Sequence, residues 1–259
     1  MPGGLAGRNA LVTGGGRAIG RAIALDLAAA GANVALAART RVEIDAVARE
    51  ALAAGVKSVA LQADVADPRS VRALFEDARG ALGELDILIN GAGVAPSAPL
   101  VKTTDEQWRQ AIEVNLSGAF YCLREALPSM TARGWGRVVN VASIAGKTGI
   151  PYIAAYAASK HGLLGLTKVA ALEVAARGVT VNAVCPGYVD TPMTDESVRR
   201  IVEKTGVSAA DVRRRLEESS PQKRLYTAAE VSALVLFLCG DGAAGINGQA
   251  LSVDGGTVV

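Results

Sequence analysis

Asn9-Ala10-Leu11-Val12-Thr13-Gly14-Gly15-Gly16-Arg17-Ala18-Ile19-Gly20 passes from a short apolar run through a glycine cluster into a stretch of small residues. The apolar run reads as a buried strand, and Ile19 to Ala30, closed by Gly31, reads as a helix. Glycines between such elements let the backbone turn sharply and come close to a pyrophosphate. The helix N-terminus adds unpaired N–H groups and the positive end of its dipole. Four glycines in seven residues, inside a strand–loop–helix unit, favour a phosphate cradle over a merely tight turn.

The same alternation continues outward from this unit. Val34 to Ala38, Ser58 to Ala63, Leu85 to Asn90, Arg137 to Ala142, Val179 to Val184 and Gln249 to Val253 read as strands. Between them, helical patterns cover Arg41 to Ala54, a segment opened by Asp67-Pro68, Asp105–Ala119, Phe120–Thr131, Tyr152 to Arg177 and Thr227 to Leu238. The strands are apolar on both faces, which predicts a parallel sheet covered by helices on both sides. No repeat or linker interrupts it. The expectation is an α/β fold: one Rossmann-like, doubly wound domain over residues 1–259, with about seven strands. Pro192 to Lys223 stands apart as a charged helical insertion.

Composition narrows the function. A net charge of +2 gives no case for nucleic acid or a membrane surface as partner. No apolar run reaches the roughly 18 residues of a membrane span, and the first residues lack a signal-peptide layout, so a cytoplasmic protein is expected. Cys122, Cys185 and Cys239 lie far apart and His161 is the sole histidine, so no metal site is expected.

A dinucleotide fold usually carries an acidic residue about 20 positions after the glycine loop, on the adenosine ribose. Here the second strand ends Ala37-Ala38-Arg39-Thr40, without an acid, while Arg39 and Arg17 stand close to the expected ribose site. Two guanidiniums suit a 2′-phosphate better than a bare hydroxyl. NADP(H) is therefore favoured over NAD(H).

Tyr156 and Lys160 lie four residues apart, on one face of a helix. A cation there favours the phenolate and would bring the tyrosine's pKa down toward neutrality, as a general acid/base requires. Ser143 lies upstream.

With these features in place, the chain resembles the short-chain dehydrogenase/reductase family over essentially its whole length. Thr13, Gly14 and Gly20 match the family's TGxxxGxG loop, in which Gly16, Arg17 and Ile19 also fall and whose middle glycine is Ala18 here. Asp64, followed by Val65, matches the adenine contact. Asn90-Gly91-Ala92-Gly93 matches the family's NNAG, with Gly91 in place of its second asparagine, a change expected to loosen that turn. Asn115, Ser143, Tyr156 and Lys160 match the catalytic tetrad; Pro186, Gly187, Val189 and Thr191 fall in the segment bracketing the nicotinamide. The resemblance implies that Ser143 binds the substrate oxygen and Tyr156 exchanges its proton. It implies that Lys160 lowers the tyrosine pKa and holds the ribose, and that Asn115 anchors a proton-passing water.

Three functions remain open on the sequence. They are an NADPH-dependent reductase of a 3-oxoacyl or polyketide-like ketone, a dehydrogenase of a secondary alcohol or hydroxyacyl compound, and a non-catalytic dinucleotide-binding regulator. The intact tetrad speaks against the last. The segments around Ser143 and Pro186 look most like ketoreductases of aromatic polyketide pathways and 3-oxoacyl reductases. The insertion is similar in layout to 3-hydroxybutyrate dehydrogenases, which hold their substrate carboxylate with a histidine and a lysine. The corresponding positions here are Ala145 and Ile153, so a larger, less charged ketone is expected, whether free, on coenzyme A or on a carrier protein.

The helices of Asp105–Thr131 and Tyr152–Arg177 carry more small and apolar residues than one buried stripe requires. By resemblance they pair across a two-fold axis, often within a homotetramer. The insertion at 192–223 is expected to act as a substrate lid. Its basic residues (Arg199, Arg200, Lys204, Arg213, Arg214, Arg215, Lys223, with Arg224 beyond it) are read chiefly as solvated faces and secondarily as contacts for a carrier's or coenzyme A's phosphates.

Overall fold

A computed structural model describes residues 4–258. Seven parallel strands form one sheet in the order β3-β2-β1-β4-β5-β6-β7. They are β1 (Asn9–Thr13), β2 (Asn33–Ala38), β3 (Ser58–Gln62), β4 (Ile87–Asn90), β5 (Gly136–Val141), β6 (Val179–Pro186) and β7 (Ala250–Val253). Side chains alternate across the sheet, and both faces are apolar. Ala10, Val12, Val34, Leu36, Ile87 and Ile89 enter one core; Leu11, Ala35, Leu88, Val138 and Val181 enter the other. Helices α1 (Ala18–Ala29), α2 (Arg41–Leu52) and α9 (Ala228–Cys239) cover the first face. Helices α3 (Pro68–Leu82), α5 (Gly118–Arg133) and α6 (Ala154–Val174) cover the second, with Phe75 and Met130 buried among them.

Strand order reverses between β1 and β4, and an open α/β sheet takes its ligands at the carboxyl ends beside such a reversal. The helical segments expected at 105–119 and 120–131 form one continuous run, α4 (Asp105–Ile112), a π-helical turn Glu113–Ser117 and α5. The capping box of Thr104 and Gln107 starts it, and Gly134 at φ 70° ends it. The helix expected from Tyr152 to Arg177 is shorter: α6 begins at Ala154 because Tyr152 takes a left-handed φ of 71°. The insertion is two helices, α7 (Pro192–Thr205) and α8 (Ala209–Glu218), with Gly206 at φ 70° between them. Ser208 caps α8 by accepting from the Asp211 N–H.

Candidate active site

A cavity of about 480 Å³ opens at the carboxyl ends of the strands, within the ~300–1,000 Å³ usual for ligand sites. Its walls come from the turns after β1 to β6 and from α7 and α8.

The dinucleotide end is built by the glycine loop. Gly14 has φ 68°, and a Cβ there would sit 2.7 Å from the Gly91 carbonyl oxygen, so the two turns touch only because glycine occupies the position. Arg17 occupies the position before α1 without a side-chain cap, leaving the first N–H groups of that helix open toward the cavity. Ala18 has φ 49°, the left-handed region that its methyl group disfavours. Gly16, Ile19, Gly20, Arg39, Asp64, Val65, Ala92 and Gly93 line the same end. These residues fit a dinucleotide pyrophosphate: a glycine cradle, an uncapped helix start and two exposed guanidiniums.

Two sequence-assigned residues turn inward instead. Thr13 Oγ1 donates to the Ile89 carbonyl oxygen and accepts from the Gly91 and Ala92 N–H groups, at 3.1 and 3.3 Å. Asn90 Nδ2 donates to Asn140 Oδ1 at 2.8 Å; Asn140 in turn reaches Thr167 on α6. Both position the turns from behind. The expected loosening at Gly91 is not found. A Cβ there would lie 2.7 Å from the Thr13 carbonyl oxygen, so glycine is what allows the tight approach.

The end of β2 carries no acid, as expected, but a carboxylate reaches the cavity from α2. Glu43, in the first turn of α2, lines the cavity, with its Oε1 4.0 Å from Arg17 Nη1.

At the chemical end, Ser143, Tyr156 and Lys160 line one wall, with Asn115 behind. Lys160 is buried, and its Nζ donates to the Val141 carbonyl oxygen at 2.7 Å while lying 5.7 Å from the centre of the Tyr156 ring. Burial lowers its pKa to about 8. Burial raises the pKa of Tyr156, and the hydrogen bond with Ser143 opposes that rise only in part. The lysine was expected to bring the tyrosine down toward neutrality. In this arrangement desolvation dominates and the phenol stays protonated.

Asn115 sits in the π-helical turn and is fully committed. Its Nδ2 donates to the Val94 carbonyl oxygen and to Ser159 Oγ, each at 2.9 Å, and its Oδ1 accepts from the Val94 N–H at 2.8 Å. Ser159 Oγ then donates to the Tyr156 carbonyl oxygen at 2.7 Å. The side chain thus pins the turn after β4 to the start of α6. Its two N–H groups are both in use.

Pro186, Gly187, Val189 and Thr191 line the wall after β6, and Thr191 leads into α7. Around the Tyr156 hydroxyl the remaining wall is largely apolar. Ile144, Ala145, Ile150, Ile153, Met193, Ile201 and Leu216 contribute, and Lys160, buried and tied to the Val141 carbonyl oxygen, is the one lysine or arginine among the described residues lining this half. Tyr152 and Tyr188, which sequence reasoning left unassigned, complete the wall; burial raises the pKa of Tyr188.

Four arginines of the insertion, and Arg224 beyond it, are held in ion pairs. Arg199 and Arg200 pair with Glu196, Arg213 with Asp190 and Asp195, Arg214 with Asp211, and Arg224 with Glu230.

Comparison with known proteins adds to this geometry. The family model described as enoyl-(acyl carrier protein) reductase matches residues 14–258. The chain is 38% identical to the 3-oxoacyl-[acyl-carrier-protein] reductase FabG of Staphylococcus aureus, covering 96% of this chain and 97% of the relative. It is 40% identical to a D-beta-hydroxybutyrate dehydrogenase of Rhizobium meliloti over 96% and 98%. A crystal structure of a single-residue variant of actinorhodin polyketide ketoreductase with NADPH superposes with a TM-score of 0.94 at 37% identity, covering 99% of both chains.

Proposed function

From the footing that this chain belongs to the short-chain dehydrogenase/reductase family, we propose that it reduces the ketone of an uncharged, 3-oxoacyl or polyketide-like substrate with NADPH. It is an NAD(P)-dependent oxidoreductase acting on CH–OH and C=O groups, of the ketoreductase type. The observation that carries the finer reading is the wall around Tyr156, where apolar Ala145 and Ile153 offer a small acid's carboxylate no charged partner and the one cation, Lys160, is buried and bonded to the Val141 carbonyl oxygen.

The bound nicotinamide supplies the hydride to the carbonyl carbon. Everything else falls to this chain's own residues. Ser143 Oγ orients the carbonyl oxygen and stabilises the charge that develops on it. Tyr156 delivers its proton to that oxygen; a phenol held protonated by burial is in the form that reduction needs. Lys160, with a pKa of about 8, can return a proton to the phenolate near neutral pH. Asn115 keeps Val94 and the start of α6 in register with them. The apolar side chains of α7 and α8 exclude water, and this pair of helices acts as the lid. The substrate can be free or linked to coenzyme A or a carrier protein, and the enzyme works in the cytoplasm as a homotetramer.

The similarity to the hydroxybutyrate dehydrogenase favours one second reading, oxidation of a secondary alcohol or hydroxyacyl compound. Initial rates in both directions, over a panel of ketones and hydroxy compounds with both cofactors, separate the two. Reduction of uncharged ketones with NADPH supports the proposal. Turnover confined to oxidation of small hydroxy acids overturns it, and no turnover at all would point to a binding protein.

A further inference from the structure

Thr40-Arg41-Val42-Glu43 has the spacing of a helix capping box, threonine followed three residues later by glutamate. Elsewhere in this chain the same pattern closes. Thr104 with Gln107 and Thr227 with Glu230 each make both reciprocal bonds. At α2 the box stays open: Thr40 makes no side-chain cap bond, and no hydrogen bond of the Glu43 carboxylate is found among the described residues. The carboxylate is instead turned into the dinucleotide end of the cavity. A Cβ added to Gly16 would meet Glu43 Cβ at 2.8 Å and Oε2 at 3.3 Å, which puts the carboxylate directly over the glycine loop. Arg17 Nη1 is 4.0 Å away, and Ala38, Arg39 and Thr40 line the same corner.

We propose that Glu43 is a cofactor-discriminating residue, set in the corner that receives the adenosine 2′ position so as to oppose a 2′-phosphate and favour a 2′-hydroxyl. It deepens the NADPH reading, on which it rests for the identity of the two competing ligands. The chemistry is direct. A carboxylate accepts hydrogen bonds from ribose hydroxyls and repels a phosphate dianion. It also draws off part of the Arg17 charge, leaving Arg39, which has no ion-pair partner among the described residues, as the main phosphate contact. The chain therefore holds two opposed determinants, Arg39 for the phosphate and Glu43 against it, and its selectivity is their difference.

The test is direct binding to the full-length protein without substrate, following nicotinamide fluorescence with NADPH and NADH. Glu43→Gln removes the charge but keeps a side chain able to close a capping box. The NADPH dissociation constant is expected to fall by about three- to tenfold while that for NADH stays or rises, and Glu43→Lys should move the ratio further the same way. A ratio unchanged within about twofold in both variants overturns the inference, because loss of a helix cap would affect the two cofactors alike. The wild-type ratio reads the NADPH assignment separately. If wild type prefers NADH and Glu43→Gln still shifts the ratio, the assignment fails and the inference stands. If wild type prefers NADPH and the ratio does not move, only the inference fails.

Discussion

The Lys160 ammonium lies 5.7 Å from the centre of the Tyr156 ring and is anchored on the Val141 carbonyl oxygen, not on the phenol. The two groups share one desolvated wall, and burial acts on them in opposite directions: up for the phenol, down to about 8 for the ammonium. Their proton affinities are therefore driven apart, with the phenol the tighter holder, so the ammonium gives its proton to a phenolate downhill and the tyrosine stays protonated at rest.

Tyr156→Phe keeps the ring and removes the proton donor. Turnover is expected to fall by at least about a hundredfold, while the NADPH dissociation constant, measured by fluorescence titration, changes by less than about threefold. Residual turnover above a few per cent would mean another group supplies the proton.

Lys160 makes stability depend on pH in a definite sense. Its folded pKa is depressed from 10.5 to about 8, so between these values the unfolded chain binds more protons and stability rises with pH. The penalty is fully present at pH 7. Lys160→Met removes it at every pH, so the variant's stability relative to wild type should drop by roughly 2–3 kcal/mol between pH 7 and pH 10.5. Any fixed cost of leaving the Val141 carbonyl unpaired cancels in that difference. Urea unfolding of both proteins at the two pH values measures it; a pH-independent difference would show that Lys160 is not strongly desolvated.

Ala18→Gly tests backbone strain. The left-handed φ of 49° costs an L-residue roughly 1–2 kcal/mol, and glycine relieves it at a smaller entropic cost to the unfolded chain. The variant should be level with wild type or up to ~1 kcal/mol more stable, whereas Ala18→Val should lose more than that. A thermal midpoint lowered by Ala18→Gly would contradict the strained geometry.

For the lid, Arg200 Nη1 donates to the Ala95 carbonyl oxygen at 3.2 Å and joins α7 to the turn after β4. Amide exchange over 192–223 should slow when NADPH and a ketone are bound, and Arg200→Ala should speed exchange there in the free protein. Exchange unaffected by ligand would make the segment a fixed wall.

Leu172, 80% exposed on α6, lies with Trp108, Phe120 and Val169 on helices that are apolar over more than their core face. Leu172→Glu should shift sedimentation toward smaller species. A wild-type chain that sediments as a monomer at micromolar concentration would reject the assembly.

Much of this was legible in the residues. Strand–helix alternation and two-faced apolar strands placed the sheet, and spacing alone placed Tyr156 beside Lys160. What escaped was set by distance across the fold. Thr40 and Glu43 read as a local cap, and no pattern in the chain reveals that the carboxylate turns to the cavity instead. The direction of the Tyr156 shift depends on how deeply α6 is buried, which its mixed small residues do not disclose. Asn115 matched a motif, yet its partners Val94 and Ser159 lie far off in sequence, so its positioning role emerged only from the packed structure.

The central claim is that the Tyr156 wall admits an uncharged ketone and gives a small carboxylate no anchor. The most direct test is kcat/KM with NADPH for a 3-oxoacyl thioester against the 3-oxo acid of the same chain. The thioester should be favoured by at least about a hundredfold, since an unpaired carboxylate against Ala145 and Ile153 loses several kcal/mol of hydration without compensation. Equal values, or a preference for the acid, would contradict the account.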